Sequence, residues 1–134
     1  MKMPNMPPKS VVELEVVNQR LTELNQSLQL VEQQLEQTSI ALAVMNELDS
    51  ANKGQEILVP IGGGVFFTVN KSSVSDIKVA VGAGVVVDKS SKDAQSFVKK
   101  QFDELQAYYQ QLVMTYDVTA QKADILQREI EKKM

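Results

Sequence analysis

Two glycine runs are the residues of this chain whose type and spacing come nearest to a chemical device. They are Gly62-Gly63-Gly64, framed by Val59-Pro60-Ile61 and Val65-Phe66-Phe67, and Gly82-Ala83-Gly84, framed by Val79-Ala80-Val81 and Val85-Val86-Val87. A phosphate-binding loop runs straight into a helix, whose first N–H groups hold the anion. Here each glycine run leads into β-branched or aromatic residues, which continue a strand. No Gly-Lys-Ser/Thr follows either run, so the nucleotide-loop pattern is absent. The glycines therefore read as tight turns, which need positive φ.

Other chemistry is sparse. The chain has no Cys and no His. Disulfides, thiolate metal sites and the commonest general base and metal ligand go with them. Carboxylates such as Glu13, Glu15 and Asp117 fall in no shaped cleft, which paired acid–base work requires. No catalytic residue, cofactor or metal is expected, and the chain does not read as an enzyme. Tyr108, Tyr109 and Tyr116 invite a base-stacking reading, but Tyr109 and Tyr116 fall on a helical seam where packing uses them. Net charge is −3, which gives no basic face for nucleic acid. No window reaches the ~18 apolar residues of a membrane span. The opening MKMPNMPPKS is too broken by proline for a signal peptide. A cytoplasmic protein without nucleic-acid or membrane partners is expected, and the sequons at Asn25 and Asn70 read as chance matches.

Two long segments must position the turns. Residues 10–52 and 92–134 are equal in length, lack Gly and Pro, and are rich in helix formers. The first carries a heptad seam: Leu14, Val17, Leu21, Leu24, Leu28, Val31, Leu35, Thr38, Leu42, Met45. The second runs Val98, Phe102, Leu105, Tyr109, Leu112, Tyr116, Thr119, Ala123, Leu126, Ile130. Each helix would span roughly 64 Å at ~1.5 Å per residue. Gly54 sits where a left-handed helix cap is wanted, and Ser90 or Ser91 offers an N-cap with Asp93 in the first turn. Neither oily stripe survives alone in water, and the short link makes the pair antiparallel. One register sets Leu21 beside Leu126, Leu35 beside Leu112 and Met45 beside Phe102; a shift of one heptad serves nearly as well.

Between the helices, four runs of strand formers stand out: 57–61, 65–70, 76–81 and 85–89. Each pair flanks a glycine turn, which is a hairpin signature, and the two halves repeat each other. Pro60 lacks an N–H donor, so its strand pairs on one side only at that point. A lone hairpin is barely stable, and runs such as VFFTV put apolar groups on both faces. Open strand edges invite another chain. The middle therefore reads as an assembly module.

The phrases Ile57-Leu58-Val59-Pro60-Ile61-Gly62 and Val81-Gly82-Ala83-Gly84-Val85, with Asp93-Ala94 opening the last helix, resemble the alpha class of the prefoldin family across essentially the whole chain. Archaeal alpha subunits and eukaryotic relatives of the subunit 5 type share this plan. The resemblance implies an α+β fold: a long antiparallel two-helix coiled coil joined by two β-hairpins that close into an intersubunit β-barrel. It implies one domain over 1–134, with a tail at 1–9, a helix at 10–53, hairpins at 55–90 and a helix at 92–134. It further implies a hexamer with beta-class subunits, an ATP-independent chaperone that holds unfolded proteins at the coil tips and passes them to a group II chaperonin. Candidate client-binding residues are Met1, Met3, Met6, Val11, Val12, Leu14, Ile125, Leu126, Ile130 and Met134, since Met is adaptable and helix ends fray. Candidate assembly residues are Ile57, Val59, Ile61, Val65, Phe66, Phe67, Val69, Ile77, Val79, Val81, Val85 and Val87. The alternative is a structural coiled-coil tether that binds no client.

Overall fold

A computed structural model describes residues 8–73 and 76–133. Met1, Met3, Met6 and Met134, candidates for client contact, lie outside the described residues. Helix α1 spans Lys9–Ser50 and α2 spans Ser91–Lys132; each is 42 residues long. Between them lie strands β1 (Glu56–Gly62), β2 (Val65–Asn70), β3 (Ile77–Gly82) and β4 (Val85–Lys89), with a single 3-10 turn at Lys71–Ser73. The chain divides into two compact units, one built from residues up to 33 and from 107, the other from residues 34–106. Both helices contribute to both units.

In the first unit the seam repeats of α1 and α2 face each other. Val17, Leu24 and Val31 are buried on α1, and Leu112 and Leu126 on α2. The remaining seam positions there, among them Leu14, Leu21, Tyr116 and Ile130, are half-buried. Leu24 retains only 2% of its exposure. Truncating such a side chain to Ala costs about 2–5 kcal/mol. Tyr109 donates its hydroxyl to Glu32 Oε1 at 2.6 Å across the pair.

That bond fixes the register. With Leu21 beside Leu126, Glu32 would lie beside Thr115, too far along the coil for Tyr109 to reach. The heptad-shifted alignment puts Glu32 level with Tyr108 and Tyr109, and so sets Leu14 beside Leu126 and Leu28 beside Leu112. The second unit agrees. Ser91 donates to Asp49 Oδ1 at 2.5 Å, and Gln95 Nε2 reaches the Asp49 carboxylate and, at 3.5 Å, the Met45 carbonyl. In the unshifted register Asp49 would face Val98 instead. Helix α1 stops at Ser50, not at residue 53 as the sequence suggests.

Gly54 is accordingly no helix cap. It takes φ +86° within the turn Asn52–Gln55, where the Gln55 N–H donates to the Asn52 carbonyl at 2.9 Å. The carbonyls at the end of α1 are served from elsewhere. Lys71 places its ammonium on the Asp49 and Ala51 carbonyls, at 3.2 and 2.5 Å. A cation there suits the negative end of the helix dipole, and α1 has no basic residue of its own in its last turn. At the other helix, Ser90 is the N-cap: its Oγ accepts from the Asp93 N–H at 3.2 Å, with Asp93 in the first turn. α1 begins at Lys9, one residue earlier than the sequence suggests, because the Pro8 carbonyl accepts from Val11 and Val12.

The four strands form two separate antiparallel ribbons, β1–β2 and β3–β4. Their registers are copies of one another. Val59 faces Phe67 and Pro60 faces Phe66; Val79 faces Val87 and Ala80 faces Val86. Each ribbon then slips by one residue, at Ile61 and at Val81, before closing Gly62 on Val65 and Gly82 on Val85. Gly62 and Gly82 thus belong to strands, at φ +108° and +117°, and the turn proper is two residues with positive φ. Ala83 holds such a place at φ +51° without being glycine. Asp76, expected in a strand, lies just ahead of β3, which starts at Ile77.

The second ribbon sits on the helix pair. Val79 packs with Met45 and Ala94, and Ile77, Leu42, Phe97 and Val98 close around them. The first ribbon is anchored at its base by Ile57, 2% exposed. Its return strand ends in Asn70, which donates to the Gly54 carbonyl at 3.3 Å.

Replacing Lys71 by Met should keep the stem but leave two terminal carbonyls without their cation. A loss of about 1 kcal/mol is expected in urea unfolding, shrinking at high salt. The Glu32 bond, lost hydration and the carboxylate's charge, in that order, push the Tyr109 phenol above its ordinary 10. A raised folded value means this contact contributes fully below the unfolded phenol's pKa and disappears as pH climbs through the raised one. Glu32→Gln should therefore lower the Tyr109 ionisation midpoint in a spectrophotometric titration.

Candidate assembly surface and coil ends

Among the described residues nothing covers the apolar side chains at the outer part of β1 and β2. Leu58, Ile61, Val65, Phe66 and Phe67 are each more than half exposed, the two Phe rings at 55% and 59%. In the second ribbon Val81, Val85 and Val86 are likewise exposed. A contiguous apolar surface of this kind marks a place where another molecule docks. Of the residues that the sequence singles out for assembly, Ile61, Val65, Phe66, Phe67, Val81 and Val85 stand on this open surface. Val59, Val69, Ile77 and Val87 are half-buried. Ile57 and Val79 are already buried within their own chain, Val79 against Met45 and Ala94 of the helices.

Charge is nearly absent from the first ribbon between its ends. The second carries one cross-strand pair, Lys78 Nζ on Asp88 Oδ1 at 2.7 Å. That hydrogen bond, and then the charge of Asp88, raise the Lys78 pKa. Both side chains are more than half exposed, so the pair contributes little to stability.

Sequence reasoning passed over a second apolar stripe on α1. Ile40, Ala41 and Val44 lie off the heptad seam, yet they floor an open trough of about 480 Å³ walled by Val59 and Pro60 of β1 and by residues 77–80 of β3. The trough continues as a hollow of about 350 Å³ between Ile40 and the tip of the first ribbon. Spacing of i, i+1, i+4 beside the seam was the available signal; it broadens the apolar face of α1 over its last turns.

The other unit holds the ends of the coil, where α1 begins and α2 finishes. Val12 is 43% exposed and Ile125 56% exposed. Leu126 is buried at 6%, level with half-buried Leu14, so in this arrangement both serve the seam. Val11 and Ile130 are half-buried. Four exposed apolar residues of this unit were not foreseen: Val16 and Leu30 on α1, and Met114 and Val118 on α2. Val118 and Ile125 are one heptad apart, and Met114 is four before Val118, all on the side of α2 away from the seam.

Among the described residues no three of His, Cys, Asp and Glu are grouped to hold a metal. No described helix is long and apolar enough to cross a membrane.

Comparison with known proteins matches this architecture. A family model described as "Prefoldin subunit" matches residues 17–134. The chain is 30% identical over 93 residues to prefoldin subunit alpha of Thermofilum pendens, covering 69% of this chain and 72% of that one. It is 32% identical over 59 residues to human prefoldin subunit 5, covering 44% of this chain and 38% of its relative. In fold it is similar to a chain of filamentous PFD from Methanocaldococcus jannaschii, with a TM-score of 0.65, 15% identity and coverage of 92% of this chain and 99% of the other. With the helix pair, the twin glycine-turned ribbons and this match over nearly its full length, the chain belongs to the prefoldin family of chaperone subunits.

Proposed function

We propose that this chain is an alpha-class subunit of a hexamer with beta-class subunits, a chaperone that works without ATP in the cytoplasm. The ribbons supply the hub. The coil ends hold unfolded proteins and release them to a group II chaperonin. One observation carries the assembly part: Leu58, Ile61, Val65, Phe66 and Phe67 of the first ribbon stay more than half exposed, with nothing among the described residues laid over them. Burying such side chains gains about 1.5–3 kcal/mol each, so a neighbouring ribbon is the natural cover.

The client-holding part draws on the coil ends. Val12, Val16 and Ile125 are exposed there without helping the seam. Apolar groups that stand free while the coil stays zipped suit a surface that takes many partners weakly. Val118 and Met114 extend the same surface along α2. Against this, Leu126 contributes only if the coil end opens.

Mixed with a beta-class prefoldin subunit, the chain should give one complex in native mass spectrometry, with two copies of this chain and four of the other. A chain that stays monomeric at micromolar concentration, alone and mixed, would sink the assembly reading.

Aggregation of a heat-denatured protein tests the client step. The assembled complex should suppress it, and the double variant Val12→Ser/Ile125→Ser should protect less while its mass and melting stay as in the parent. Full assembly without any protection would identify a coiled-coil tether instead.

A further inference from the structure

The side of α2 away from its seam repeats a seam of its own. Ala107, Gln111, Met114, Val118, Gln121 and Ile125 follow one another at steps of four and three, the spacing that keeps one stripe of a helix turned to a partner helix. All six are exposed, Met114 at 70% and Val118 at 68%. A helix face turned to water ordinarily carries charged and polar residues; no position of this stripe is charged. Residues 107–123 hold only two charged side chains, Asp117 and Lys122. Both are exposed, and among the described residues neither is paired with an opposite charge. They flank the stripe on opposite sides, Asp117 just before Val118 and Lys122 just after Gln121.

We propose that this stripe is covered by the same stripe of a second copy of this chain, the two helices parallel and in register. Val118 and Ile125 hold the first apolar position of successive repeats, where β-branched residues favour a parallel two-stranded pair. Charge selects the same occupant and the same direction. In a parallel pair, the flanking residue just before one repeat meets the flanking residue five places further on in the other helix. Asp117 and Lys122 are five apart, so Asp117 of each copy meets Lys122 of the other, twice across the pair. An antiparallel pair that sets Met114 on Val118 brings the two Asp117 side chains together across the two-fold axis instead. Beyond this middle section the match weakens. Asp124 comes to face Glu129, and Asp124 is already held by Arg128 at 3.1 Å. Three apolar side chains per copy make a weak contact that needs a high local concentration. The hexamer reading above, on which this one point rests, supplies it by holding two copies at one hub. In the pair, Met114, Val118 and Ile125 are closed to other molecules.

The chain has no Cys, so a single Val118→Cys substitution reports the contact through a disulfide between copies. Val16→Cys, on α1 and 61% exposed, is the control. Each variant is oxidised alone and in complex with a beta-class subunit, and the cross-linked fraction is read on a denaturing gel. Val118→Cys should cross-link about fivefold faster than Val16→Cys or more. Adding Asp117→Lys or Lys122→Asp sets like charges against each other and should slow that cross-linking about threefold or more. Carrying both swaps together should restore it. These side chains are exposed, so circular dichroism of the free chain should stay unchanged in every variant. Cross-linking of Val118→Cys no faster than the control would overturn the pairing, as would indifference to both single swaps. Mixing Val118→Cys with Met114→Cys checks the direction: mixed disulfides in excess of both like pairs would overturn the parallel arrangement. Native mass spectrometry of the same samples separates the two readings. A hexamer without these cross-links removes the pairing alone, whereas cross-links in a chain that forms no hexamer remove the hexamer and keep the pairing.

Discussion

A two-stranded ribbon has two faces and two edges, and a helix pair can cover one face of it at most. That geometric shortfall governs the rest of this molecule. The second ribbon satisfies part of it by laying Ile77 and Val79 on Met45, Ala94 and their neighbours. The first ribbon satisfies less, since only Ile57 is deeply buried. What remains is open apolar strand, and water penalises it at every residue. A family whose subunits assemble is the setting in which such a surface persists without becoming an aggregation site.

For the shortfall to be useful, the ribbons must be held in a fixed posture. The junction does this with polar bonds rather than bulk. Asp49 takes Ser91 and Gln95, while Lys71 returns from the end of β2 to the last carbonyls of α1. Each bond is modest alone. Together they tie the last turn of α1, the first turn of α2 and the root of the first ribbon to one another. They also hold the end of α1 at Ser50.

Much of this was legible in the amino acids. Heptad residues from Leu14 to Met45 and from Val98 to Ile130 announced two helices, and every one of them is buried or half-buried. Val65–Asn70 and Val85–Lys89 were readable to the residue as strands, because glycine and β-branched side chains leave few alternatives. The register was not legible. Leu, Thr and Tyr recur at heptad spacing, so two alignments packed almost equally well, and the deciding bonds, from Tyr109 to Glu32 and from Ser91 to Asp49, join residues far apart in sequence. Nor did the pattern give away the helix end. Gly54 looks like a cap, and only the Lys71 ammonium, brought round by the ribbon, shows that the helix has stopped earlier. Ile40 and Val44 were overlooked because the seam beside them already accounted for the helix. The coil-end residues divide on the same ground: Leu126 was an equally good candidate for seam and surface, whereas Ile125, one place off the stripe, had no packing role to compete with.

The repeated ribbons show how function diverges on a shared frame. Their pairing slips at the same place and their turns close in the same way. Where the first ribbon pairs Leu58 with Thr68, the second pairs Lys78 with Asp88. Where the first has Pro60, the second has Ala80. The charged pair lets one face of the second ribbon stay in water at little cost, because both charges remain hydrated. No such relief exists for Leu58 and Phe66. The proline also removes an N–H that the alanine keeps. The two Phe of the first ribbon stand where the second has Val86 and Val87, so the first ribbon carries the larger uncovered apolar surface and the stronger demand for a cover.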